Sequence, residues 1–230
     1  MAPEVDKRVW SKTQNVVVSA NIFAKLPLEK LAVLLDNSDY TPETFPGLIY
    51  KVEDSELSFN KASYLLFSSG RVICTGTKSI KHARTAVKHV IDDLKEVGIE
   101  ITKKPEIKVQ NMVASGSVGG RLNLNEIVFL FENTEYEPEQ FPGLVYKLKG
   151  EEVLQNITFL LFGTGKIVIT GARSEKQIKD SVKFLRAQLI EVGELDKKPT
   201  KITKKKPAKV VKAEKVDKPT NVDSKSNSTR

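Results

Sequence analysis

Cysteine and histidine are nearly missing from this 230-residue chain, which has one Cys (Cys74) and two His. A single thiol cannot close an internal disulfide, and so few soft donors cannot build a structural zinc site. A disulfide-stapled secreted scaffold and a zinc module are both excluded. Long hydrophobic runs are also absent. Stretches such as Ile127-Val128-Phe129-Leu130-Phe131 fall far short of the ~20 apolar residues a membrane span needs. The N-terminal segment Met1 to Arg8 has no apolar core behind its charges, as a signal peptide would. No Gly-rich phosphate loop, Cys/His cluster or paired carboxylates mark a catalytic centre. With 40% apolar and 29% charged residues the composition is globular. The expectation is an intracellular, soluble protein that is not an enzyme and uses neither metal nor cofactor.

Charge is unevenly placed. The chain carries 37 Lys and Arg against 29 Asp and Glu. Residues 197–230 hold 12 of the basic residues and only 3 acids (Glu214, Asp217, Asp223), leaving 25 basic and 26 acidic residues for positions 1–196. The C-terminal segment has no aromatic residue and no Leu. It cannot bury enough apolar surface to offset its ordering entropy, so 195–230 is expected to be a disordered basic tail. Such tails meet nucleic acid or nothing at all. The body is nearly neutral, so any nucleic-acid function within it has to come from the placement of groups.

What the chain does contain is a repeat. Gln14-Asn15-Val16-Val17 returns as Gln110-Asn111-Met112-Val113, 96 residues on. The segment from Tyr40 to Lys51, with Phe45-Pro46-Gly47-Leu48 inside it, returns at the same offset as Tyr136 to Lys147 with Phe141-Pro142-Gly143-Leu144. Leu65-Leu66-Phe67, Gly70 and Thr75-Gly76 return as Leu160-Leu161-Phe162, Gly165 and Thr170-Gly171, now at an offset of 95. Aligning 14–52 on 110–148 gives 17 identities in 39 positions, which marks a tandem duplication. The repeats are assigned to residues 9–100 and 101–194.

Both copies carry the same pattern. Period-2 apolar alternation over 13–22 and 108–118 predicts a strand. Leu28, Leu31, Ala32, Leu34 and Leu35 follow helical spacing, as do Leu124, Ile127, Val128, Leu130 and Phe131. Phe-Pro-Gly suits a type II turn with Gly at positive φ. Strands are then expected near 48–53, 62–68 and 71–76, with Ser69-Gly70 and Thr164-Gly165 as hairpin turns. Helices 79–97 and 174–192 close the repeats at Gly98 and Gly193. Two such units predict an α+β fold: one antiparallel sheet with four helices on a single face.

That layout leaves a surplus of apolar side chains. A sheet covered on one face should alternate apolar and polar residues, yet Tyr64-Leu65-Leu66-Phe67 and Ile167-Val168-Ile169 are apolar on both faces. Val17, Leu65, Phe67, Ile73, Val113, Leu160, Phe162 and Val168 share the parity that points away from the helices. No segment remains to cover them, so they are expected to form an exposed apolar surface that binds a partner.

The paired Gln-Asn, the paired Glu-x-Phe-Pro-Gly-Leu and the paired Leu-x-Phe-x-x-Gly-x-x-x-x-Thr-Gly make residues 9–194 resemble the TATA-box-binding protein family. The resemblance implies a saddle: a curved ten-stranded antiparallel sheet with four helices on its convex face and double-stranded DNA under the other. It implies a general transcription initiation factor at AT-rich promoter boxes. It also implies transcription factor B and the RNA polymerase pre-initiation complex as partners.

The chemistry is consistent with that. The AT minor groove offers only adenine N3 and thymine O2 as acceptors and lacks the guanine amino group. Asn15 and Asn111 resemble the family's central donors to those acceptors, with Thr75 and Thr170 beside them. Val17, Val113, Leu65, Leu160, Ile73 and Val168 match groove-lining positions. Phe45 with Phe67, and Phe141 with Phe162, match the pairs that wedge into the end steps of the box and kink it, a mechanism for which this family is the reference case. Lys51, Lys147, Arg71 and Lys166 match positions near phosphates, where they position the duplex without specifying sequence.

The turn Glu137-Pro138-Glu139 stands where the first repeat has Thr41-Pro42-Glu43, and Glu137 and Glu139 are the candidates for contact with transcription factor B. The start of the chain close to the fold suggests an archaeal source, with a cytoplasmic or nucleoid location; a eukaryotic member would be nuclear. The basic tail departs from what such members carry. The competing expectation is a module of the same fold in a DNA glycosylase or a nuclease of RNA–DNA hybrids. Either needs a catalytic domain that the residues after Gly193 do not supply.

Overall fold

Strand-forming segments recur four times per repeat, and antiparallel pairing assembles these strands into one sheet. A computed structural model of the chain describes residues 7–148, 154 and 156–195. The chain divides into units 1–199 and 200–230, and every described residue lies in the first. In the first repeat the order is β1 (Val9–Asn21), α1 (Leu28–Leu34), β2 (Ser38–Asp39), β3 (Leu48–Glu53), β4 (Lys61–Leu66), β5 (Arg71–Thr77) and α2 (Ile80–Glu96). The second repeats it with β6 (Glu106–Val118), α3 (Leu124–Leu130), β7 (Thr134–Glu135), β8 (Gly143–Lys147), β9 (Thr158–Phe162), β10 (Lys166–Ala172) and α4 (Glu175–Glu191). The sheet is ten-stranded, in the order β2-β3-β4-β5-β1-β6-β10-β9-β8-β7, with antiparallel neighbours. That order is a palindrome about the β1–β6 pair, so the duplication becomes a two-fold pseudosymmetry.

The residue pattern marks four strands per repeat and the structure has five, which makes the ten that the family resemblance implies. The additions, β2 and β7, are two residues long and show no periodicity of their own; they exist by pairing with β3 and β8. The expected type II turn at Phe-Pro-Gly is also displaced. The turn is Thr41-Pro42-Glu43-Thr44, closed by Thr44 and Phe45 N–H groups donating to Thr41 C=O at 3.0 Å, and Glu137 accepts the same pair in the second repeat. Pro42 and Pro138 hold its second corner, and Gly47 and Gly143 do not have positive φ. Residues 196–230, most of the expected tail, lie outside the described residues. Leu195 is buried and bonded through its N–H to Leu189 C=O, so the packed body runs one residue past the expected boundary.

One parity of each strand builds the core. Val16, Val18 and Ala20 of β1, Tyr64 and Leu66 of β4, Val72 and Cys74 of β5, and their second-repeat counterparts are buried. They pack with Ala83, Val87, Val90 and Leu94 of α2 and with Ile178, Val182, Leu185 and Leu189 of α4 in one continuous cluster. The long helices start on Ser79 and Ser174, whose Oγ atoms accept the N–H of His82 and Gln177 at 3.1 Å. They stop at Gly98 and Gly193, both at positive φ. Burial pushes the Cys74 thiol up to about 12, so it stays protonated and inert. Tyr64 is fully buried, and its hydroxyl donates to Ala86 C=O at 2.9 Å. Tyr64→Phe is expected to lower unfolding stability by about 1 kcal/mol, read in a denaturant titration, because that carbonyl sits inside α2.

Candidate nucleic-acid interface

The opposite parity forms the open face. Val17, Leu65, Ile73, Val113, Leu160 and Val168 are all half-exposed, while their strand neighbours are buried. The register sets four of them in two matching rows, Ser19–Ile73–Leu65–Ile49 in the first repeat and Ser115–Val168–Leu160–Val145 in the second, with Val17 and Val113 between them on the central strands. Ile49 and Val145 did not stand out in the sequence. Their parity was legible, but their place beside Leu65 and Leu160 comes only from the β3–β4 and β8–β9 pairing.

At the centre, Asn15 stands opposite Val113 and Asn111 opposite Val17. Each Asn is held by a break in the ladder. Between β1 and β5 the partners jump from Val16–Thr77 to Val18–Cys74, so Thr75 and Gly76 bulge opposite Val17; Thr170 and Gly171 do the same in β10. Gly76 and Gly171 take φ of +94° and +92°, a region open to glycine at little cost. A Cβ on Gly171 would come within 1.8 Å of Asn156 O. This turn aims the Gly N–H at the neighbouring amide oxygen: Gly76 N donates to Asn15 Oδ1 and Gly171 N to Asn111 Oδ1, both at 2.8 Å. With Oδ1 bound to a donor, the amide orientation is set by its network. Nδ2 donates one hydrogen to Thr75 Oγ1 at 3.0 Å, or Thr170 Oγ1 at 3.2 Å, and keeps its other N–H for the open face.

Two aromatic pairs bound the face. Phe45 and Phe67 have ring centroids 5.9 Å apart at 67°, and Phe141 and Phe162 have centroids 5.9 Å apart at 68°, both edge-to-face. Phe141 keeps 42% of its surface exposed. Gly47 and Gly143 lie beneath the rings. A Cβ would meet Phe45 Cε1 at 2.7 Å or Phe141 Cε1 at 2.6 Å, so the Gly of Phe-Pro-Gly serves close approach of the rings and not a left-handed turn.

The basic residues lie around these rows. Lys51 pairs with Ser63 and thus points the way of Thr75, and Lys147 matches it opposite Thr158. Arg71 pairs with Asn21 and Lys166 with Ser117, at the ends of the central strands. Lys147 differs from Lys51 in having Nζ 2.7 Å from Glu135 Oε1, so part of its charge is already answered. Glu137 and Glu139 are exposed on the turn that leads into Phe141. Among the described residues no group of three or more His, Cys, Asp or Glu could hold a metal ion, and no helix is long and apolar enough to cross a membrane.

Comparison with known proteins agrees with the two-repeat fold. The family model described as transcription factor TFIID, or TATA-binding protein, matches residues 11–97 and again 106–192. The TATA-box-binding protein of Methanocaldococcus jannaschii is 46% identical over 195 residues, spanning 85% of this chain and 98% of that one. TATA-box-binding protein E of Halobacterium salinarum is 44% identical over 193 residues, spanning 83% and 99%. The solved structure of Methanococcus jannaschii TBP superposes with a TM-score of 0.70 at 45% identity, covering 79% of this chain and 98% of that chain. The chain therefore belongs to the TATA-box-binding protein family, in its archaeal form.

Proposed function

We propose that this protein is a general transcription factor that binds TATA-like promoter boxes in the minor groove, kinks the duplex by phenylalanine insertion and recruits transcription factor B and RNA polymerase. The observation that carries the reading is the open face itself: half-exposed apolar rows bounded by matched Phe pairs, with two anchored Asn amides at the centre. Apolar rows suit a groove floor without amino groups, and the outward N–H of each Asn suits adenine N3 or thymine O2. Footprinting on a duplex with one TATA-like box is expected to show protection across the box. The same duplex with the box replaced by G·C pairs is expected to lose it, and equal protection of both would refute the assignment.

Glu137 and Glu139 are assigned to transcription factor B. They sit on a turn at the margin of the sheet, outside the apolar rows, so converting both to Arg is expected to leave the binary DNA complex nearly unchanged. A mobility shift in which the ternary complex still assembles normally on the Arg variant speaks against this contact.

The basic segment 197–230 is assigned to sequence-independent attraction. Each phosphate neutralised adds about 0.9 to the salt slope, so engagement of four to six of the cations predicts a slope lower by about 4–5 in protein truncated after Asp196. The change is expected equally on TATA and scrambled duplexes, because a Lys-rich chain responds to charge and not to base edges. Identical slopes for full-length and 1–196 protein in a salt titration exclude this role.

A further inference from the structure

The two halves of the open face correspond position for position along β1 and β6 until one row. The 96-residue offset carries Asn15 to Asn111, Gln14 to Gln110 and Lys12 to Lys108, but it carries Trp10 to Glu106. The pairing register places these two at equivalent points. Trp10 stands opposite Ser117, which stands opposite Lys166; Glu106 stands opposite Asn21, which stands opposite Arg71. One end of the face thus reads Trp–Ser–Lys and the other Glu–Asn–Arg.

Both rows belong to the open face. Gln14 and Gln110 are extra residues in the β1–β6 ladder, where the register jumps from Thr13 to Asn15 and from Asn111 to Val109. These bulges switch the parity, so that Val9 and Ile107 pack on the core while Trp10 and Glu106 turn to the other side. Trp10, 44% exposed, borders a recess of ≈ 680 Å³ together with Pro142, Phe162, Lys166 and Val168. Glu106 borders a recess of ≈ 310 Å³ with Asn21, Arg71 and Lys108.

We propose that Trp10 is a DNA contact at the second-repeat end, beside the Phe141–Phe162 pair, and that Glu106 weakens the grip at the first-repeat end. The proposal rests on reading the open face as the DNA surface. An indole at that place adds a flat apolar surface against sugar edges and one N–H donor toward a phosphate oxygen. A carboxylate at the matching place offsets Arg71 and Lys108 where phosphates would lie. The pseudosymmetric sheet therefore holds its two half-sites unequally. The Trp10 contribution is mostly insensitive to salt and the Glu106 penalty is electrostatic.

Trp10 is the single Trp of the chain, so fluorescence excited at the long-wavelength edge of the indole band, where the five Tyr do not absorb, reports on it alone. The full chain is titrated with an end-labelled duplex carrying a TATA-like box, with label anisotropy following binding and acrylamide quenching following the indole. At saturation the quenching constant is expected to fall at least threefold. Binding with unchanged quenching overturns the Trp10 contact while leaving the DNA-binding reading intact, and no anisotropy change overturns both. Trp10→Ala, with its fold checked by circular dichroism, is expected to weaken binding about tenfold with an unaltered salt slope. Glu106→Gln is expected to strengthen binding severalfold at low salt and to steepen the slope by up to about 1. Wild-type affinity in Trp10→Ala, or an unmoved slope and affinity in Glu106→Gln, removes the corresponding half of the proposal.

Discussion

A double variant Phe141→Ala, Phe162→Ala is expected to straighten one end of the bound duplex while the other end stays kinked. The two rings meet edge-to-face with centroids 5.9 Å apart, and Phe141 is 42% exposed, which suits the pair to the wedge role proposed for it. Opening a base step costs a few kcal/mol, which the wrapped contact has to offset. Without the wedge, that cost is no longer met at one end, and flexible TA steps restack. The measurement is energy transfer between dyes at the two duplex ends. Transfer is expected to drop toward an intermediate value in this variant and in the mirror variant Phe45→Ala, Phe67→Ala, and toward that of free DNA when all four are replaced. Because these side chains lie on the open face, the thermal transition of the free protein should move little. An unchanged bend in the first double variant would falsify intercalation by this pair.

The second large effect belongs to the central amides. Asn15→Leu with Asn111→Leu removes both outward donors, and two contacts at about 1–3 kcal/mol each correspond to a loss of at least about thirtyfold in affinity for an AT centre. Leu also strands the Gly76 and Gly171 N–H groups, which now donate to Asn15 and Asn111 at 2.8 Å. Asn15→Asp with Asn111→Asp separates the two consequences. Asp keeps an acceptor for each Gly N–H but turns an acceptor toward the acceptors of the groove, so binding is expected to fall at least as far with the fold intact. Equilibrium binding to duplexes with A·T or G·C central pairs provides the readout. If the Asp variant still discriminates between them as the native chain does, the bases are read by another group.

Much of this was legible along the chain because the signals are local. The alternation in β1 and β6, the helical spacing of Leu28 and Leu31, and the closing glycines each depend on residues within one element, and the 96-residue offset needs only the chain compared with itself. The surplus parity of Leu65, Ile73, Leu160 and Val168 was legible too, since apolarity on both faces of a strand shows without knowing its neighbours. What escaped depended on partners. β2 and β7 exist only against β3 and β8. Ile49 and Val145 join the apolar rows only through register. Gly47 and Gly143 resemble turn glycines until the Phe rings above them are seen.

The sequence by itself determined that there are two like units, which elements each contains, and which side chains one covered face would leave over. Tertiary structure alone decided how those units meet. The β1–β6 pairing sets Asn15 and Asn111 at a shared centre, and the Thr-Gly bulges turn two N–H groups out of the ladder to hold their amide oxygens. The Gln14 and Gln110 bulges bring Trp10 and Glu106 to the open face. The physical reason is that strand periodicity fixes parity only within an unbroken strand. A bulge inverts it at a position set by the partner strand; glycine at positive φ marks the Gly76 and Gly171 bulges, but nothing in residue type marks those at Gln14 and Gln110.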